Sequence, residues 1–175
     1  MNNGLKIRTT LLSPVKEFSG ELVIGLGSCL DQDLPQPIWK EIKAQNPEIF
    51  IMLGDNVYGD TYGNIQNLEM AYKKQAQAFK KARLDFPMLA IWDDHDYGKN
   101  DGGEEYVFKE LAQELFLDFW QVPLEDPRRK RKGIYFSEIK EIYNLKVNLI
   151  GLDTRYHRSV LGQKDKPYSP VDDES

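Results

Sequence analysis

Short apolar runs punctuate this chain, and three of them break abruptly into polar residues. Leu22 to Gly27 reads as a buried strand that ends in Ser28-Cys29. Ile49 to Leu53 has the pattern of a strand buried on both faces, and it gives way to Gly54-Asp55-Asn56-Val57-Tyr58-Gly59-Asp60. Met88 to Trp92 is the third run, and it breaks into Asp93-Asp94-His95-Asp96-Tyr97-Gly98. Segments of helical period lie between and after these runs. Pro37 suits a first helical turn, with Ile38, Trp39, Ile42 and the stem of Lys43 as one apolar face and Asn46-Pro47 as the stop. Asn64 to Leu84 repeats Leu68, Ala71, Tyr72, Ala76, Phe79 and Ala82 at three- and four-residue steps. Glu104 to Trp120 does the same with Tyr106, Phe108, Leu111, Leu115, Phe116 and Phe119. Pro123 to Lys132 reads as a charged loop. Gly133–Lys140 and Lys146–Leu152 read as two strands turning near Tyr143-Asn144, the second ending in Asp153-Thr154-Arg155.

Strand and helix thus alternate three times, which predicts an α/β fold with a mostly parallel sheet and covering helices, closed by an antiparallel pair. The expected organisation is a tail or edge strand over residues 1–20, one domain over 21–162 and a polar tail over 163–175.

Composition changes this picture little. The chain has 175 residues, 41% hydrophobic and 29% charged, which suits one globular domain with a core. A net charge of -5 argues against nucleic acid as a partner of the whole surface. The apolar runs are too short to span a bilayer. Met1 to Gly20 has no apolar h-region, so no signal peptide is expected there, and the compartment stays open. Cys29 is the only cysteine, which excludes an internal disulfide.

The strand ends carry the chemistry. Parallel neighbours present their carboxyl ends on one edge of a sheet, where open α/β folds place ligands. Cys29, then Asp55 with Tyr58, then Asp93 to Asp96 would converge there. Carboxylates gathered in one place repel, and a cation is the usual remedy. Carboxylate oxygen suits calcium, magnesium or manganese; a thiolate and a phenolate suit a more highly charged ion such as ferric iron. Two unlike metals bridged by Asp55 could bind a phosphate and activate water. Each residue also has an ordinary reading: Cys29 as a small core residue, Tyr58 as a packed ring, His95 as a loop histidine. Arg155 can lock a loop carboxylate or reach a phosphate. The run Arg128-Arg129-Lys130-Arg131-Lys132 is by default a solvated loop, with an anionic partner as the alternative. Gly102-Gly103 fits a turn rather than a phosphate cradle.

Gly27-Ser28-Cys29, Leu53 to Asp60, Trp92 to Asp101 and Leu152 to Arg155, in that order, resemble the alkaline phosphatase D (PhoD-like) family of metallophosphatases. The resemblance implies a calcineurin-like metallophosphatase sandwich, hydrolysis of phosphomonoesters or phosphodiesters, and Fe3+ with Ca2+ as metals. It implies Cys29, Asp55 and Tyr58 as ferric ligands, with Asp55 bridging to calcium. Asp94 stands in the place of a second-metal ligand, Asn100 is a further ligand, and His95 matches the histidine that protonates or steadies the leaving group. Members of the family are often exported. They also continue past the Asp-Thr-Arg region with a second half that supplies histidine and aspartate ligands, whereas this chain holds two histidines, His95 and His157. A partial domain is therefore expected, with slow turnover, weak metal binding and an uncovered apolar sheet face that favours self-association.

Three functional readings follow. The first is a metal-dependent phosphoesterase acting through a metal-activated water with His95 as acid. The second is a catalytically incomplete metal- or phosphate-binding module. The third is an interaction protein whose basic run takes an anionic partner.

Overall fold

A computed structural model of the protein describes residues 20–61 and 63–162. The expected N-terminal tail, up to residue 19, and the polar tail from Gln163 lie outside the described residues. Three strands, β1 (Ile24–Gly27), β2 (Ile49–Leu53) and β3 (Met88–Ile91), pair in parallel in the order β1-β2-β3. The predicted strands were right in kind, and β1 begins two residues later than its apolar run. The connections carry α1 (Ile38–Ala44) and α2 (Gln66–Ala82). A one-turn helix α3 (Asp94–Tyr97), the helix α4 (Lys109–Phe119) and a 3-10 turn at Pro127–Arg129 lead to a separate antiparallel hairpin of β4 (Phe136–Ile142) and β5 (Leu145–Gly151). Among the described residues no helix is long and apolar enough to cross a membrane.

Sheet register sorts the strand residues onto two faces. Phe50, Met52, Met88 and Ala90 share the face packed against helices, where the Trp39 ring meets Phe50 edge-on at 5.5 Å. Gly25 belongs to that face for a steric reason: a Cβ there would lie 2.3 Å from the Phe50 ring. Leu26, Ile51 and Leu89 are aligned on the other face, with Leu53 beside Ile91. Leu26 is 61% exposed and Leu53 43%, so β2 is not buried on both faces along its whole length.

Helix stripes differ from the sequence expectation in an instructive way. Ala76 is exposed and the buried position beside it is Gln75, because the Gln75 and Gln36 amides bond to each other at 2.8 and 3.1 Å. Gln36 also accepts the Trp39 indole N–H at 2.9 Å. Buried amides with their bonds complete cost little, so an apolar-only stripe misplaces this face. Leu111 and Ile38 are likewise exposed, while Ala112, Gln113, Phe116 and Leu117 face the core of α4. The helix starts at Lys109 rather than Glu104, because Gly102 and Gly103 are buried and the chain up to Phe108 runs in turns.

The basic run is not a free solvated loop. Arg128 is buried against Asp126 through two guanidinium bonds of 2.9 and 2.8 Å and lies over the Phe136 ring. Arg129 pairs with Asp118 at 2.6 Å, and Arg131 covers the Tyr135 ring at 3.9 Å. The arginines fasten α4 to the hairpin.

The open face of the three-stranded sheet generates a prediction. Replacing Leu26 and Leu53 together by serine should reduce self-association in analytical ultracentrifugation and leave the helical circular dichroism unchanged. An unaltered sedimentation profile in a self-associating preparation would place the contact elsewhere.

Candidate metal centre

The three parallel strands end side by side, and backbone bonds hold the ends in register. The Cys29 N–H donates to the Gly54 carbonyl at 3.2 Å and the Leu30 N–H to the Asp55 carbonyl at 2.8 Å. Cys29 and Asp55 adopt φ of 57° and 50°, a left-handed conformation unusual for residues with a Cβ. Gly54 between the strands has φ of 109°, and a Cβ there would come within 2.6 Å of Asp93 Cβ. Only glycine lets β2 and β3 approach this closely at their ends.

A buried carboxylate organises the loops. Asp96 is fully buried, with Oδ1 accepting from the Asp93 N–H at 2.7 Å and the Asp55 N–H at 3.2 Å. Its Oδ2 accepts from the Asn56 N–H at 3.2 Å and from the Asn56 amide. The Asn56 amide also donates to the Ile91 carbonyl at 2.9 Å. Burial pushes the Asp96 carboxyl up to about 8, against the pull of these N–H donors. The expected loop at Asp93 to Asp96 is therefore the start of a helix, closed by a capping box from Asp93 to Asp96.

Around this anchor the predicted ligands gather. Asp55, Asp94 and His95 each offer a ligand atom within 4.8 Å of the others. Cys29 Sγ lies 3.6 Å from Asp55 Oδ2, and the Tyr58 hydroxyl is close enough to Cys29 for the thiol to raise its pKa. The Tyr58 ring leans on the His95 ring at 4.5 Å. Asn100 is the exception: it is exposed and its amide donates to Asp101 at 3.0 Å. It is the neighbouring Asp101 N–H that reaches the cluster, donating to Asp94 Oδ2 at 2.7 Å.

Charge is unevenly balanced here. Burial raises Asp55, and the charges of Asp94 and Asp93 add to it against the pull of His95. Burial also raises Tyr58, reinforced by Cys29 and Asp55. Burial would raise Asp94 too, but the Asp101 N–H and the Arg155 charge outweigh it and hold Asp94 below the usual carboxylate range. Burial would lower His95, but its Nδ1–H donates to Asp60 Oδ2 at 2.6 Å, and that bond with the surrounding carboxylates raises it above its ordinary value. Asp55 Oδ1 is buried with no hydrogen-bond donor among the described residues. A cation is the partner that this oxygen, a thiol, a phenol and a second carboxylate fit.

Three strand-end carboxylates have partners that the sequence does not specify. Asp60 holds His95, and its place six residues after Gly54 gave no sign of that. Asp153 ties the hairpin to the site: Oδ1 accepts from the Trp92 indole, Arg155 and Tyr156 N–H groups, each at 2.9 Å, and Oδ2 from Ile134 at 2.8 Å. Asp93 takes the Arg155 guanidinium at 2.5 Å, and the same group lies 3.7 Å from Asp94.

A comparison with solved structures finds a protein described as PhoD, with a TM-score of 0.60 over 79% of this chain at 17% identity. The likeness is one of fold, a parallel three-stranded sheet with covering helices. This chain covers 32% of the length of that one. No family model and no curated protein matches the sequence.

The anchor can be tested apart from any metal. Asp96→Asn turns an NH2 toward backbone donors and should cost about 3 kcal/mol in urea unfolding. Asn100→Ala should stay within about 0.5 kcal/mol of the parent. Equal losses in both variants would contradict the role given to Asp96.

Proposed function

We propose that this chain is the metal-binding part of a phosphoesterase, hydrolysing phosphate monoesters or diesters with ferric iron and calcium at the strand-end cluster. The reading is carried by the convergence of Cys29, Asp55, Tyr58, Asp94 and His95 at one sheet edge, with Asp55 Oδ1 left without a donor. Cys29 and Tyr58 would hold the harder, more highly charged ion, Asp94 the second, and Asp55 both. Bound there, the ions would supply positive charge for a phosphate and an activated water. Asn100 has no part in the cluster described here and would need to turn inward to serve.

The chain's own residues prepare a proton donor. Asp60 fixes the His95 ring through Nδ1 and favours the imidazolium, so Nε2 is the nitrogen left to protonate a departing alkoxide. The Asp101 N–H and then the Arg155 charge hold Asp94 ionised, and the guanidinium would offer a further donor to a phosphate oxygen. A second reading, a binding module without turnover, draws on the donor count. Only about five side chains gather among the described residues, short of the roughly six to eight oxygens that calcium takes.

Elemental analysis tests the ligand set. Asp55→Asn and Asp94→Asn should each lower bound metal severalfold, whereas Arg129→Ala, whose guanidinium is held by Asp118, should not. With ferric iron bound, Tyr58→Phe should shift or weaken a visible charge-transfer band without unfolding the protein. Unchanged metal in both aspartate variants would remove the proposed site.

The proton donor has its own test. His95 loses its proton above its ordinary pKa because of Asp60, so Asp60→Asn should move the basic limb of the kcat/KM profile to lower pH. A limb that stays in place would deny the pair this role. Metal uptake without phosphate release from any monoester or diester would favour the binding module.

A further inference from the structure

On the helix-covered side of the sheet, α1, α2 and the loop before α1 line a groove of about 580 Å3. Its size falls within the range of about 300–1,000 Å3 in which proteins take ligands. Leu34, Pro37 and Trp39 form its apolar wall, and Leu34 is 62% exposed. Lys40, Lys43 and Lys81 stand around it. Lys43 is already committed in part, donating to the Arg83 carbonyl at 2.7 Å at the end of α2. Lys40 and Lys81 form no ion pair or side-chain hydrogen bond among the described residues. In a chain of net charge -5 this is a positive rim around an apolar hollow.

We propose that this groove docks an acidic amphipathic segment of a partner protein, with apolar side chains seated against Leu34 and Trp39 and carboxylates paired with Lys40 and Lys81. An apolar floor with charge confined to the rim is the anatomy of a protein interface. A small ligand would need a free polar group inside the hollow to fix it, but the Gln36 amide in its lining is already bonded to Asp31, Gln75 and Trp39, and Lys40 and Lys81 are exposed. Leu34 protrudes, but Trp39, 3% exposed at the bottom of the groove, lies out of a bilayer's reach and within that of a side chain seated in it. A helix laid in the groove meets both demands, presenting apolar anchors at three- and four-residue spacing and glutamates on its flanks.

The test is fluorescence anisotropy with a labelled 16-residue peptide bearing leucines at helical spacing and glutamates elsewhere, beside its twin with lysine for every glutamate. The parent protein should bind the acidic peptide, and not the twin, with an affinity that falls as salt rises. Lys40→Glu combined with Lys81→Glu should weaken binding at least about tenfold, as should Leu34→Asp alone, with circular dichroism unchanged. Metal content should be the same in the Lys40→Glu, Lys81→Glu variant, whose residues are not among the clustered ligands. Absence of binding at millimolar peptide, equal affinity for the twin, or indifference to both sets of substitutions would overturn the proposal. Binding to phosphatidylserine vesicles with none to the peptide would also overturn it, in favour of a lipid surface.

Discussion

One buried carboxylate holds the end of the sheet together. Asp96 receives N–H groups from Asp55 and Asn56 after β2 and from Asp93 after β3, so two loops share one acceptor. A carboxyl in such a place is costly unless its oxygens are bonded, and here two oxygens take four donors. The positive φ of Asp55 is a consequence: the peptide must turn its N–H inward to Asp96 while the side chain turns outward to the cluster. Removing the anchor would release both the strain and the convergence of the ligands.

Packing beneath that anchor keeps the loops from shifting. Trp92 is buried at the end of β3, meeting Tyr97 at 5.1 Å and Phe116 at 5.4 Å in edge-on contacts. Each such pair adds about 0.5–1.5 kcal/mol beyond burial. The same indole donates to Asp153. The aromatic core and the polar site are thus joined through one side chain, and α3 rides on it.

Much of this was legible in the sequence because period and position carry it. Three apolar runs that break into acids at their carboxyl ends state both a parallel sheet and the edge where ligands meet. That Cys29, Asp55, Tyr58, Asp94 and His95 lie together follows for that reason. What was illegible depends on angle and pairing. Asn100 lies one residue from the N–H that touches Asp94, and sequence cannot say which way a loop amide faces. Gln75 and Gln113 are polar by letter and interior by bonding. The arginine run reads as solvated until Asp126, Asp118 and two aromatic rings are seen to occupy it.

The hairpin β4–β5 forms a sheet of its own, without a backbone ladder to β3. Side chains make the junction: Asp153 to Trp92, Tyr143 to Glu48, Arg155 to Asp93. A junction of side chains opens more readily than a strand ladder, so the hairpin can unfasten as a unit while β1-β2-β3 stays intact. Arg155 follows β5 by four residues, so an opening that carries it along withdraws a positive charge that, after the Asp101 N–H, helps hold Asp94 below the usual carboxylate range. The hairpin is thus a latch on one charge beside the cluster, and its amides would exchange with solvent in step with the loss of that charge.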